Sequence, residues 1–309
     1  MSIFTVKLWV FLACLSGLLS RAQAQQVAAG YQHTVAIYAD GTLWGWGDNS
    51  LGQLGTGGAT YQPTPVALGQ AATTWRSVSA GQDFTVGVRQ DGTLWAWGNN
   101  DKGQLGDGTT LPHPTPVQVG TATTWTSVSA GWRHVAALRQ DGTLWTWGDG
   151  TQGQLGTGST TDRATPGQVG TATTWVSLSA NYYQTTAIRQ DGTLWAWGDN
   201  SASQLGTGTT SSQTTPVQIG AATTWKNVTT SNDHTVGVRQ DGTLWTWGYN
   251  YYGQLGNGTT ANQLAPVQVG TATTWVSVSA GWYHTAAQRL DGSLWTWGYN
   301  NQGQLGTGT

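Results

Sequence analysis

The sequence predicts an all-β fold, a β-propeller of four-stranded antiparallel blades. Three observations carry that expectation. The string L-W-x-W-G begins at Leu43, Leu94, Leu144, Leu194, Leu244 and Leu294, in steps of 51, 50, 50, 50 and 50 residues. A fixed period of this length marks a repeat architecture. Thr, Val, Trp and Gly dominate, charged residues make up 8%, and all 14 acidic residues are Asp, a balance that favours strands and tight turns over helices. Finally, each copy carries an Asp-Gly pair between alternating segments, a strong hairpin signal.

The copy from Thr115 to Thr165 shows the elements in order. Thr115–Val119 alternates as a short strand, d, and Gly120–Thr124 is a small-residue turn. Trp125–Ala130 alternates again as strand a, and Gly131-Trp132-Arg133 turns the chain. His134–Gln140 is strand b. Asp141-Gly142 predicts a type I′ turn, with positive φ at both central residues. Strand c, Thr143–Gly148, puts Trp145 and Trp147 on one face and Leu144 and Thr146 on the other. A loop through Gly153-Gln154-Leu155-Gly156 leads to the next d strand. Four short strands without a helix describe a propeller blade, and the paired tryptophans suit the wedge between blades. A β-solenoid is the competing architecture, but its coils run to roughly 20–30 residues.

Along the chain there are six b strands, six c strands and, if Gln25–Gly30 is the first, six a strands. Only five d strands occur, at Thr64, Thr115, Thr165, Thr215 and Ala265. The expectation is six blades, one of them three-stranded with an unpaired edge, or a C-terminally truncated part of a seven-bladed or longer chain.

The first 24 residues differ from the rest. Lys7 precedes an apolar run from Leu8 to Leu19, and Ala22-Gln23-Ala24 forms an A-x-A site. This reads as a secretory signal over residues 1–24, cut after Ala24, with the propeller over 25–309. The run is too short for a bilayer-spanning helix. A lipoprotein-like cleavage at Cys14 is disfavoured because the apolar stretch continues beyond it. The mature chain then lacks cysteine, so disulfides are excluded although a secreted, extracellular or periplasmic location would permit them. It carries ten basic and 14 acidic residues, a net charge of −4. No basic run remains to neutralise a nucleic-acid backbone.

The composite V-S-A-G-x-x-H-T…D-G-T-L-W-x-W-G-x-N-x-x-G-Q-L-G-x-G resembles the repeat of the regulator of chromosome condensation family. Val128 to His134, Asp141 to Gly148 and Gly153 to Gly158 carry the likeness, which extends over about residues 27–309. Kelch repeats are of similar length but need an early Gly-Gly pair, and Gly57-Gly58 is the only such doublet. The tryptophan-rich wording is like that of bacterial secreted members. The resemblance implies a propeller, commonly of seven blades.

No catalytic, metal or cofactor site is expected. His33, His134, His234 and His284 share one repeat phase, but the other copies hold Phe84 and Gln184 there. Phe can neither ligate a metal nor shuttle a proton, so the position reads as packing or hydrogen bonding beside a turn. His113, between two prolines, has no evident partner. Asp40, Asp91, Asp141, Asp191, Asp241 and Asp291 each open an Asp-Gly turn, and turn chemistry accounts for them. Arg89, Arg139, Arg189, Arg239 and Arg289 share a phase before the hairpin and read as solvated hairpin ends. No nucleophile stands beside a base and no P-loop occurs.

Up-and-down strand order puts the a–b and c–d loops on one face of the ring and the b–c hairpins and d–a turns on the other. The second face is nearly invariant between copies; the first varies and is rich in aromatics. Its a–b loops contain Tyr31, Asp83, Trp132-Arg133, Tyr182-Tyr183, Asp233 and Trp282-Tyr283, and its c–d loops add Tyr249, Tyr251, Tyr252 and Tyr299. Tyr and Trp give large contact area at low entropic cost and dominate recognition hot spots. This face is the expected binding surface of a secreted scaffold, a monomer or a module of a longer chain. Its expected ligand is a protein partner, the alternative being a surface glycan that stacks on the rings. The resemblance adds two expectations. A bacterial β-lactamase inhibitor of similar repeat fold binds its target through aromatic loops on one face. The eukaryotic namesake is a guanine-nucleotide exchange factor, a weaker alternative here because the signal leads away from cytosolic GTPases.

Overall fold

Alternating strands and recurrent turn residues fold the chain into a six-bladed β-propeller, seen in a computed structural model that describes residues 24–69 and 74–308. The expected signal segment and its cleavage site lie almost wholly outside the described residues. In blade 3 strand a is Trp125–Ala130, b His134–Arg139, c Leu144–Gly148 and d Arg163–Gln168, hydrogen-bonded in that order. The d strand therefore follows c in its own sheet. The d strand at His113–Gln118 pairs with Leu94–Gly98 of blade 2. Among the described residues five blades have four strands, and the last, Trp275–Ala280, His284–Arg289 and Leu294–Gly298, has three.

The b–c hairpin differs from the expected type I′ turn. Gly142 has φ 75°, whereas Asp141 is not in the left-handed region. Gly142 N donates to Arg139 O at 3.0 Å, and Arg139 N donates to Thr143 O at 3.1 Å. These bonds define a three-residue loop, a type I turn followed by a left-handed glycine bulge. Asp141 Oδ1 accepts from Thr143 N at 3.0 Å and from Thr143 Oγ1 at 2.6 Å, and Trp145 Nε1 donates to Thr143 Oγ1 at 2.8 Å. The D-G-T-L-W wording thus closes on itself. The bonds from Thr143 are also the main reason the Asp141 carboxyl sits below its ordinary pKa.

Each of blades 2 to 6 offers a tryptophan face to the aliphatic face of the blade before it. Between blades 2 and 3, Val86, Val88 and Leu94 meet Trp125 and Trp147. Trp97, Trp147, Trp197 and Trp247 are fully buried, and cutting one back to Ala costs on the order of 3–5 kcal/mol. The c–d loop supplies a polar latch between the same blades. The main-chain oxygen of Gln104 accepts Trp147 Nε1 at 2.9 Å, and that of Gln154 accepts both Trp197 Nε1 and Thr185 Oγ1, each at 2.9 Å. Gly156, φ 68°, lies so near the next blade that a Cβ there would come within 2.8 Å of Trp197 Nε1. G-Q-L-G is therefore a docking element between blades.

Six blades share five such cores among the described residues, and none joins blade 6 to blade 1. Leu294 is 62% exposed where Leu244 is fully buried. At the other end Trp46 is half-buried, although its counterpart Trp97 is fully buried.

The arginines are not solvated hairpin ends. Arg139 Cζ lies 4.4 Å from the Trp125 ring centroid and 3.8 Å from that of Trp145, and Arg89, Arg189, Arg239 and Arg289 repeat the arrangement. The sandwich forms because strands a and b pair Trp125 with Arg139 while the c-strand indole lies alongside. Blade 1, with Ala24 in place of that first tryptophan, holds Tyr38 at the arginine phase, in edge contact with Trp44.

Candidate binding face

The histidine phase is structural. His33, His134 and His234 are buried, and each Nε2 lies 2.9–3.0 Å from a threonine Oγ1 of the next blade: Thr85, Thr185 and Thr285. Burial outweighs every other influence and lowers their pKa values to about 4, 3 and 3, so at neutral pH the rings are uncharged. In blade 2, where Phe84 replaces the histidine, it shares a core cluster with Val135, the residue at the threonine phase of blade 3. An apolar pair there replaces a polar one. His113 has a partner that sequence reasoning missed: its Nε2 lies 2.8 Å from Asp107 Oδ2.

The variable loops meet on the opposite face from the Asp-Gly hairpins. Asp149 N donates to Arg133 O and Tyr249 N to Asp233 O, tying each c–d loop to the a–b loop of its own blade. Successive a–b loops are also linked: Tyr31 N donates to Gln82 O, Gln82 N to Trp132 O and Trp132 N to Tyr182 O. In blade 4 this run changes. Asn181 stands at a phase held elsewhere by glycine or serine; its Oδ1 accepts Tyr182 N at 2.7 Å and its Nδ2 donates to Thr230 O at 2.7 Å. Asn181 therefore fixes Tyr182, and its departure from glycine was the available sequence signal.

Every aromatic residue of the expected face joins one network of ring contacts. Tyr31 meets Trp132 at 5.3 Å between centroids, Trp132 meets Tyr182 at 4.8 Å, and Tyr182 meets Tyr183 at 4.5 Å and Trp282 at 6.2 Å. Trp282 contacts Tyr283, which leads to Tyr249 at 6.2 Å and Tyr252 at 5.0 Å. Tyr252 in turn meets Tyr251 at 5.0 Å and Tyr299 at 4.8 Å. Edge and tilted geometries dominate, as ring quadrupoles favour. Between Trp132, Tyr182 and Trp282 lies a cavity of about 20 Å³, room for about one water. Tyr251 and Tyr252 remain exposed, at 66% and 38%.

The polar residues divide into two groups. Asp83 sits between blades 1 and 3; burial, then Asp48, raises its pKa, while Arg133 opposes that rise. Arg133 donates to Gln82 Oε1 at 3.0 Å and to Asp101 Oδ2 at 2.9 Å. Asp233 lies among the tyrosines; burial first, with Asp199 adding, raises its pKa. Not all of the variable c–d loop is free surface. Asn100, Asn200 and Asn250 are fully buried, and each Oδ1 accepts the main-chain N–H five residues on while Nδ2 binds the loop's return. Their recurrence at one phase was the signal for that role.

The sequence profile described as the RCC1-like domain matches residues 12–309. The Arabidopsis thaliana ultraviolet-B receptor UVR8 is 35% identical over 102 residues, 32% of this chain and 22% of that protein. Homo sapiens protein RCC2 is 33% identical over 108 residues, 34% of this chain and 20% of that protein. The aligned stretches thus span about a fifth of these relatives. Among solved structures, Saccharomyces cerevisiae Prp20p, described with its binding properties to Gsp1p and histones, superposes with a TM-score of 0.81 at 21% identity, covering 94% of this chain and 75% of that one.

Proposed function

We propose that this chain, which belongs to the RCC1-like domain family, is a non-enzymatic binding propeller that engages a protein partner through its aromatic loop face. The observation that carries the reading is the single network from Tyr31 to Tyr299, built from loops of five blades on one face. On the other face the Asp-Gly hairpins bond within themselves, as in the Asp141–Thr143–Trp145 relay, and vary little between copies. Rigid aromatic clusters that exclude water are where binding energy concentrates. The A-x-A motif at Ala22 to Ala24 supports export, so the partner is sought outside the cytosol. That Prp20p binds Gsp1p and histones shows a similar fold in use for protein binding.

The test is capture of partners from secreted or surface fractions by the folded chain. Changing Trp132, Tyr182 and Trp282 together to Ala should abolish capture while the circular dichroism spectrum stays that of a β-propeller. Capture that survives this triple change rejects the reading. One observation favours a glycan instead: Tyr249 and Tyr251 are nearly parallel, 22° apart, and Tyr251 offers an open ring face on which a sugar could stack. A glycan array on which Tyr251→Ala removes strong signals would replace the protein reading. Guanine-nucleotide exchange rests on fold likeness alone, and a nucleotide-release assay with no acceleration removes it.

A further inference from the structure

The two acidic positions of the aromatic face are internal copies of one another, and their partners differ: Asn232 Nδ2 donates to Asp233 Oδ1 at 2.7 Å, whereas the equivalent Gln82 accepts from Arg133. Asp83 and Asp233 occupy the same phase of the a–b loop, and each has a second carboxylate close by, Asp48 and Asp199, from the c–d loop of the preceding blade. At Asp83 the next blade contributes Arg133, whose guanidinium also binds Asp101 at 2.9 Å. At Asp233 the residue in the Arg133 phase is Tyr283, and the residue in the Asp101 phase is Tyr251. Among the described residues no cation lies near Asp233. One half of the face thus supplies its own cation, and the other half puts aromatic rings where that cation stood.

We propose that the nest formed by Asp233 with Tyr249, Tyr252 and Tyr283 receives a basic side chain, arginine or lysine, from the protein partner. The inference rests on the aromatic face being the protein-binding surface. Tyr249 and Tyr252 each lie within 6.2 Å of Tyr283, measured between centroids, so the three rings form a wall. The carboxylate is near enough to this wall that, after burial itself, the Asp233 charge is the next cause raising the Tyr283 phenol and one of the causes raising those of Tyr249 and Tyr182. A neutral phenol keeps its electron-rich ring face and its hydroxyl hydrogen. Cations bind such faces, and a desolvated carboxylate gains most from a partner of opposite charge. The pairing also fits the location, since the half-buried Asp233 has a neutral donor in Asn232 but no cation beside it to balance its charge.

The probes are N-acetyl-arginine amide and N-acetyl-lysine amide, with N-acetyl-citrulline amide as the uncharged control. Heteronuclear NMR of the whole folded chain should show saturable, millimolar binding of the two cations, with shifts confined to residues around Asn232, Tyr249 to Tyr252 and Tyr283. Asp233→Asn should weaken binding about tenfold or more. Tyr283→Arg, which reproduces the blade 2–3 arrangement internally, should abolish binding while keeping the wild-type spectrum elsewhere. Absence of saturable shifts, equal binding of citrulline, or an unchanged affinity in Asp233→Asn overturns the proposal. The two readings fail separately. Partner capture that is lost on changing the central aromatics but unchanged by Asp233→Asn removes only the cation nest. Cation binding without any aromatic-dependent partner capture removes only the assignment of the face.

Discussion

Ser203 is the only non-glycine residue with a positive φ, 66°, among the described residues. It stands where other copies have glycine, and an L-residue there costs on the order of 1–2 kcal/mol. Ser203→Gly should raise stability by about 1 kcal/mol, read as a higher urea midpoint with an unchanged slope. The buried histidines make stability depend on acid. Their folded pKa values, about 4, 3 and 3, lie below the ordinary 6.5. The unfolded chain therefore binds protons first, so stability is complete above pH 6.5 and falls as pH drops toward 4. Each histidine should cost about 2 kcal/mol at roughly pH 5 relative to neutrality. Replacing His134 by Phe together with Thr185 by Val copies the Phe84–Val135 pair and should remove one histidine's share of this slope. Melting temperatures measured from neutral to mildly acid pH check both statements; a slope unaltered by the double change would count against the assignment.

At the scale of the element, the arginine sandwich ties strand ends together. Arg139→Ala should cost about 1–2 kcal/mol, and Arg139→Lys less. Neither loss should depend much on salt, unlike that of the exposed Lys102–Asp162 pair. A strongly salt-dependent loss at Arg139 would argue that its charge acts through distant carboxylates. The strands themselves were legible because alternation is local: Trp125–Ala130 was bounded to the residue. The sandwich was not legible, since Trp125, Arg139 and Trp145 become neighbours only once three strands are paired in register. The hairpin type was missed for a related reason. Asp-Gly is compatible with two- and three-residue loops, and the register set by Arg139 and Thr143 decides between them. The face was legible as a list of variable loop positions. Its closure into one network was not, because Tyr182 and Trp282 lie 100 residues apart.

For the whole molecule, burial is uneven between inner and outer blades. Leu244→Ala, between blades 5 and 6, should cost about 3 kcal/mol, whereas Leu294→Ala, at an exposed position, should cost under about 1 kcal/mol. Repeat arrays of this kind owe their stability to nearest-neighbour interfaces. Amide exchange should accordingly be fastest in blades 1 and 6, which each share only one core, and slowest in blades 3 and 4. Uniform exchange across all six would mean that the ends are covered in solution.

The latch between blades ends on a main-chain oxygen, that of Gln53, Gln104, Gln154, Gln204 or Gln254. An acceptor that belongs to the backbone is the same in every copy, whatever side chain stands beside it. Blades whose histidine- and threonine-phase residues match can therefore be treated as interchangeable cassettes. Cut at equivalent positions, any one of them offers the next the same acceptor and receives from it the same indole donor. Assembly and recognition are then written in separate alphabets: the first constant and carried by the backbone, the second free to be rewritten loop by loop on the aromatic face.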